Sequence, residues 1–362
     1  MPRFQALQAQ YGDCFLLRWG AAEDKLAVID GGPPGTYPIL RERLLQAANV
    51  TPVSINLMMV SHIDDDHING LLALMRDLRD LKQAHKPLPI TVQRFWFNGF
   101  EDLIGATGGT SAPTALSSLA SNDAELRNWA SYFKEEKAIG VLASVGQGRQ
   151  LRDLIALFDL KGNQPIGSFA MGSPAPVDVD GLKITVVGPL DDQLSALRSD
   201  WAKAPLSSKA ALAAYLDTST ANLSSIVCLV ENSGKKILLT GDARGDYILD
   251  GLHKYGHLDA AGRLKLDIMK VPHHGSNRDA APDFFAALPA EHYVISANGK
   301  YNNPDRDTLK WLIDARGTDS YTIHLTNQLP WMEAFFDRLR SGRNFTVQYR
   351  GTNDGDIIDI AL

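Results

Sequence analysis

Short apolar runs separated by clusters of Gly, Pro, Asn and Asp give the first picture of this chain. The runs "CFLLRW" and "KLAVIDGG", parted by "GAAED", predict a β-hairpin whose second strand is stopped by Gly31, Gly32 and the Pro33–Pro34 pair. In "YPILRERLLQAANV", Ile39, Leu40, Leu44 and Leu45 fall at helical spacing. "INLMMV" reads as a short buried strand. The following "HINGLLALMRDLRDL" sets Leu71, Leu74, Met75, Leu78 and Leu81 along one helical stripe. "QRFWFNG" is a further strand, so the opening order is β-β-α-β-α-β.

From residue 100 to 180 the pattern weakens. Gly, Ser, Thr and Ala dominate "LIGATGGTSAPTALSS", and an amphipathic helix is expected around "DAELRNWASYFKEE". This stretch reads as a partly helical insertion, or lid, within one domain spanning 1–362. Strand character resumes at "GLKITVVGP". A helix interrupted by Pro205 is expected in "SALRSDWAKAPLSSKAALAAYL". "SSIVCLVENSGKKILLTGDA" forms a second hairpin around Asn232, Ser233 and Gly234. "LKLDIMKVPHHGS", "EHYVISAN" and "TIHLTN" give three more strands, with "DRDTLKWLIDAR" a helix between the last two.

Composition narrows the class without naming a chemistry. Of 362 residues, 44% are hydrophobic and 22% charged, as in ordinary soluble domains. A formal net charge of −6 argues against a global field that grips long duplex DNA, although a local basic groove stays compatible. The two cysteines, Cys14 and Cys228, form no CxxC, which predicts no disulfide framework and a reducing compartment. No basic start with an apolar core opens the chain, and no run reaches a membrane-spanning length. The expectation is a cytoplasmic protein that contacts no membrane.

Four apolar runs end in metal-type residues: "LAVID" at Asp30, "MMVSH" at His62, "ILLTGD" at Asp242 and "IMKVPHH" at His273 and His274. Such endings are expected to converge on one rim, where α/β folds place their sites. In "VSHIDDDHING", three consecutive aspartates repel one another, and burying them uncompensated is costly. Two divalent cations would supply roughly +4 of charge and make the cluster favourable. His62 and Asp64, two apart, face one side of an extended segment. Asp66 and His67 stand at the mouth of a helix, where free backbone N–H groups favour negative charge. Asp65, between them, is expected to point away.

"SHIDDDH" resembles the HxHxDH signature of the metallo-β-lactamase superfamily, with His62, Asp64, Asp66 and His67 at its four positions and aspartate in place of the second histidine. Together with "YGDCFLLRWG…LAVIDGG", "NLSSIVCLVENSGKKILLTGD" and "KVPHHGS", it is similar to the hydrolase domain of ComEC-type competence DNA-uptake proteins. The resemblance covers roughly 11–99 and 182–300. It implies a four-layer αββα sandwich with two mixed sheets and two divalent metals at one edge.

In that arrangement His62 and Asp64 would serve one metal, and Asp66 and His67 the other. Asp242 would bridge them, one of His273 and His274 would complete the second site, and Asp30 would orient the shell. No counterpart of the family's intervening histidine is evident. Asn98 is a candidate for that position. The oxygen-rich first site would shift preference from Zn²⁺ towards Mn²⁺ or Mg²⁺.

A hydroxide held between two metals is the nucleophile that the resemblance implies. Lys270, Arg278 and the spare histidine of the pair lie near enough in sequence to serve a phosphoryl oxygen or leaving group. Asp66, Asp242, His273 and Lys270 are therefore the catalytic candidates. Ser276 reads as a turn or cap residue supporting the shell. The favoured function is a phosphodiesterase or nuclease acting on nucleic acid or nucleotides. Hydrolysis of a small ester, lactam or phosphocholine-like diester, and an inactive metal-bearing scaffold, are the alternatives.

Overall fold

The computed structural model describes residues 2–46, 51–99, 136–195, 222, 224–351 and 357–362. Alternation along the first strands decides the layering. In β2 (Phe15–Trp19), Phe15, Leu17 and Trp19 face one side and Leu16 the other. In β3 (Lys25–Ile29), Ala27 and Ile29 share the first side, and Val28 the second. One face therefore meets a second sheet, and the opposite face meets helices.

The first sheet has the order β16-β1-β2-β3-β5-β7, with β1 at Arg3–Leu7, β5 at Leu57–Met59, β7 at Phe95–Trp96 and β16 at Ile357–Ala361, while β4 (Val53–Ile55) and β6 (Ile90–Val92) form a separate parallel pair. Its pairings are antiparallel as far as β3 and parallel from β3 through β5 to β7. Helix α1 (Tyr37–Gln46) and helix α2 (Asp65–Gln83) pack on its outer face. The second sheet runs β15-β14-β13-β12-β11-β10-β9-β8, the strands being Val177–Val179, Leu182–Gly188, Val227–Asn232, Lys235–Leu239, Leu266–Lys270, Ala290–Ile295, Tyr321–Leu325 and Phe345–Tyr349 from β8 to β15. It is antiparallel from β8 to β11 and parallel from β11 to β15. Helices Gly245–Lys254, Pro282–Ala287, Arg306–Arg316 and Met332–Leu339 cover its outer face. Two mixed sheets thus lie face to face between helices, the αββα order expected.

Part of the expected insertion is built into this frame. Helix α3 (Glu136–Leu157) lies along α2 and sends Leu151, Leu154 and Ile155 into the same buried cluster. The helices expected in "DAELRNWASYFKEE" and "SALRSDWAKAPLSSKAALAAYL" lie outside the described residues, apart from their edges. Cys14 and Cys228 are free and buried. No described helix is long and apolar enough to cross a membrane.

His292 and His324 share the inner side of neighbouring strands, with His292 Nδ1 3.0 Å from His324 Nε2. Burial, then His292, pushes His324 down to about 3. Burial also lowers His292, although Glu291 and Asp267 oppose this and Lys235 adds to it. His324 is therefore neutral in the fold while the unfolded chain binds a proton below about 6.5. The unfolded state gains protons first, so stability falls as pH falls. Between pH 7 and 5, His324 contributes a loss of about 2 kcal/mol. Urea midpoints for the native chain and His324→Gln should diverge in slope over this window. Parallel slopes would remove His324 from the acid sensitivity.

Candidate metal centre

All the converging segments leave their strands at one edge. After β3 the chain turns through Asp30, whose φ of 58° is left-handed, and Gly31. There α2 presses against the turn, and a Cβ added to Gly70 would stand 1.9 Å from the Gly31 carbonyl oxygen. Only glycine allows this approach. After β5 come Ser61 and His62, then α2 with Asp65 and Asp66 in its first turn. Asp242 follows β11, and His273 and His274 follow β12. Both histidines are left-handed (φ 46° and 54°). Such strain costs about 1–3 kcal/mol per residue and persists only where surroundings enforce it.

Asp242 is the hub. Its Oδ1 lies 3.4 Å from His67 Nε2, and its Oδ2 lies 3.3 Å from His274 Nε2, 3.6 Å from His273 Nε2 and 4.0 Å from His62 Nε2. Asp66 stands 3.4 Å from His274 Nε2 and 3.9 Å from His67 Nε2. Asp64 approaches His62 Nε2 at 3.6 Å. His62, His67 and His274 are buried, and their Nε2 atoms have no hydrogen-bond partner. Orphaned imidazole nitrogens facing carboxylates form a donor set that fits divalent cations.

The far edges of these rings are fixed. His67 Nδ1 donates to Asp30 Oδ2 at 3.0 Å, while Ser61 donates to the same carboxylate through N (2.6 Å) and Oγ (2.8 Å). His274 Nδ1 donates to the Ser296 carbonyl at 2.9 Å. His273 Nδ1 meets Asp279 Oδ2 at 2.5 Å. With Nδ1 engaged behind the ring, each Nε2 faces the cluster, where a cation that displaced its proton would meet the lone pair.

Charge explains the cluster's tolerance. Burial disfavours charged imidazoles, yet Asp242, then Asp30 and Asp66, lift His67 well above the ordinary histidine range. Asp242 and Asp13 do the same for His274. Despite burial, His67 and His274 hold Asp66 below its usual range, and His274, His67, His273 and Lys270 hold Asp242 well below it. Protons here occupy positions where cations would neutralise the same carboxylates.

Asp13 is the residue that the sequence reading missed. One ligand-type atom each from Asp13, His67, Asp242 and His274 lies within 4.8 Å of the others. Asp13, however, meets the Nδ1 edges of His274 (3.3 Å) and His67 (3.9 Å), behind the rings. It also meets Lys270 Nζ at 2.6 Å. Its place is that of a carboxylate supporting the imidazoles.

Two site candidates, Lys270 and Asn98, lie elsewhere than expected. Lys270 is buried, and its ammonium also contacts the Gly241 carbonyl (2.6 Å) and Asp242 Oδ1 (3.3 Å). With its donors engaged inside the protein, it is not placed to meet a phosphoryl oxygen. Asn98 is engaged by the backbone of Ala170 through both amide atoms, at 2.8 Å each, so it is not free to fill a ligand position. Ser276 Oγ accepts from Arg278 N at 3.3 Å within the turn. Asp65 accepts from Asn69 and from Gln147 on α3.

A family model described as the metallo-beta-lactamase superfamily matches residues 8–148. ComE operon protein 3 of Bacillus subtilis (strain 168) is 29% identical over 142 residues, 38% of this chain and 15% of that protein. The chain thus aligns with a small part of that relative's length. Among solved structures, the metallo-beta-lactamase fold protein YhfI from Bacillus subtilis aligns over 100% of both chains, at 9% identity and a TM-score of 0.40.

Proposed function

We propose that this chain, with its metallo-β-lactamase domain match over 8–148, is a two-metal hydrolase of phosphodiesters in nucleic acids or nucleotides. The observation that carries the reading is the convergence of His62, His67 and His274, each with a bare Nε2, on Asp66 and Asp242. Asp66, His67, Asp242 and His274 would hold one ion. His62, Asp64 and Asp242 would hold the other, in a more oxygen-rich set that suits Mn²⁺ or Mg²⁺ as well as Zn²⁺. Bound divalent ions supply Lewis acidity and activate water at neutral pH.

The chain's own residues do the rest. Asp30 and Ser296 hold His67 and His274 in register, and Asp13 supports His274 from behind. His273 is the imidazole of the four with notable exposure, its side chain being 26% accessible. Burial lowers its pKa, but Asp242 and Asp279 raise it on balance. It is placed to hold a proton at Nε2 and deliver it to a leaving oxygen. Similarity to ComE operon protein 3 supports a nucleic-acid substrate over a lactam. The net charge of −6 favours single strands, ends or small nucleotides over long duplexes.

The test is a substrate panel with Mn²⁺, Mg²⁺ or Zn²⁺: bis(p-nitrophenyl) phosphate, single strands, duplexes, cyclic dinucleotides, nitrocefin and a thioester. Phosphodiester cleavage is expected. His273→Ala should slow oligonucleotide cleavage more than nitrophenolate release, because nitrophenolate leaves without a proton. Cleavage of nitrocefin or the thioester, with every phosphodiester intact, would overturn the reading.

A further inference from the structure

Beside the metal centre stands an aromatic and cationic platform that hydrolysis alone does not require. The chain after β13 makes a tight turn at Lys300–Asn302, where Tyr301 adopts φ 58° and ψ 18°. A bulky side chain seldom enters this left-handed region, so the turn holds Tyr301 against its own preference. Tyr301 is 70% exposed. Its neighbour is Tyr11, with ring centroids 6.2 Å apart and planes at 88°. Lys300 Nζ lies 3.4 Å from the Tyr11 centroid and 4.8 Å from that of Tyr301.

Both sides of the platform are fastened to elements that carry the metal-type residues. Tyr11 precedes Gly12 and Asp13; the Asp13 N–H donates to the Asp66 carbonyl at 3.1 Å, and Ser296 Oγ donates to the Gly12 carbonyl at 2.6 Å. On the other side, Asn303 Nδ2 reaches the His273 carbonyl at 3.4 Å, and Asp305 N donates to the Gly275 carbonyl at 3.0 Å. An occupant of the platform would therefore be held at a fixed offset from whatever the metal centre holds.

An exposed ring flanked by an ammonium matches a flat π-face linked to an anion. One ring is too small a patch for a folded partner, whereas a nucleobase needs one stacking face and one cation for its phosphate. A base inside a duplex has both faces covered by its stacked neighbours, so the occupant is an unpaired one. We propose that Tyr301, with Tyr11 and Lys300, forms a stacking subsite for an unpaired nucleobase next to the phosphodiester held at the metal centre. The subsite rests on the phosphodiesterase reading and makes it specific for single strands or nucleotide ends.

Fluorescence anisotropy of labelled decathymidylate and of an abasic decamer tests this, using the full chain with Ca²⁺ as the added ion. Tyr301→Ala should weaken decathymidylate binding roughly tenfold, the scale of one lost base–aromatic stack. Tyr301→Trp and Tyr301→Phe should stay close to the native chain, and the abasic decamer should be indifferent to all three. Hydrolysis of bis(p-nitrophenyl) phosphate by the native chain runs alongside. If the native chain hydrolyses the diester but Tyr301→Ala binds decathymidylate normally, or both decamers lose equally, the subsite is overturned and the phosphodiesterase reading stands. If the native chain neither hydrolyses the diester nor binds either decamer, that reading fails and the subsite falls with it.

Discussion

Asp242→Asn should lose its metal and its hydrolysis together while keeping its fold. The carboxylate faces four imidazoles through two oxygens, and it sits where both proposed ion positions meet. Asparagine preserves the volume but removes the charge and replaces one ligand oxygen by an amide nitrogen. The loss of metal affinity should exceed the roughly 10–100-fold that follows removal of a supporting outer partner. Elemental analysis of protein prepared without chelator, circular dichroism and the diester assay measure the three quantities. Native activity in the variant would end the two-metal mechanism.

The largest stability effect should come from Lys270→Met. Lys270 lies between Asp13 and Asp242, and all three are buried. Burial opposes its charge, but Asp13 and Asp242 raise its pKa on balance, so it is an ammonium in the fold. Removing it leaves Asp13 without its nearest counter-charge. Breaking one partner of such a pair costs about 3–5 kcal/mol. Adding Asp13→Asn should recover much of that loss, because the stranded carboxylate disappears with it. Urea titration in the presence of a chelator measures both, with supplied cations kept out of the comparison. A single-variant cost below about 1 kcal/mol would refute the pairing.

Lys270 also shows where a local reading of sequence falls short. Its closeness to "PHHGS" points to a phosphate contact, yet its strand phase says otherwise. Ile268 faces the other sheet and Met269 faces the helices, so Lys270 turns inward with Ile268. Period-two alternation carried that information. Asp13 carried less: a single aspartate in "YGDC" looks like any turn residue until the hairpin folds back on α2. His62, Asp64, Asp66 and His67 were legible because their spacing within seven residues fixes their mutual placement. His273 and His274 were legible as a pair, but their separate roles depend on two left-handed backbones that no propensity forecasts.

The layered core was legible in the alternation of β2 and β3, and in the stripe on α2. The closing strand was not. β1 and β16 are joined residue by residue from Arg3↔Ala361 to Leu7↔Ile357, across almost the whole chain. Hydrophobic pattern names a strand but says nothing about so distant a partner. Phe345–Tyr349 pairs in parallel with the strand just before it, Tyr321–Leu325, and the helix Met332–Leu339 between them covers the far side of the second sheet.

The potential donors come in two batches: His62, Asp64, Asp66 and His67 beside one sheet, and Asp242, His273 and His274 beside the other. Neither half of the sandwich would own a complete coordination sphere. Cations seated there would rivet the halves together, so chelation would loosen the seam between sheets as well as silence the chemistry. At a hundredfold excess over its dissociation constant, one such ion adds about 2.7 kcal/mol to the folded state.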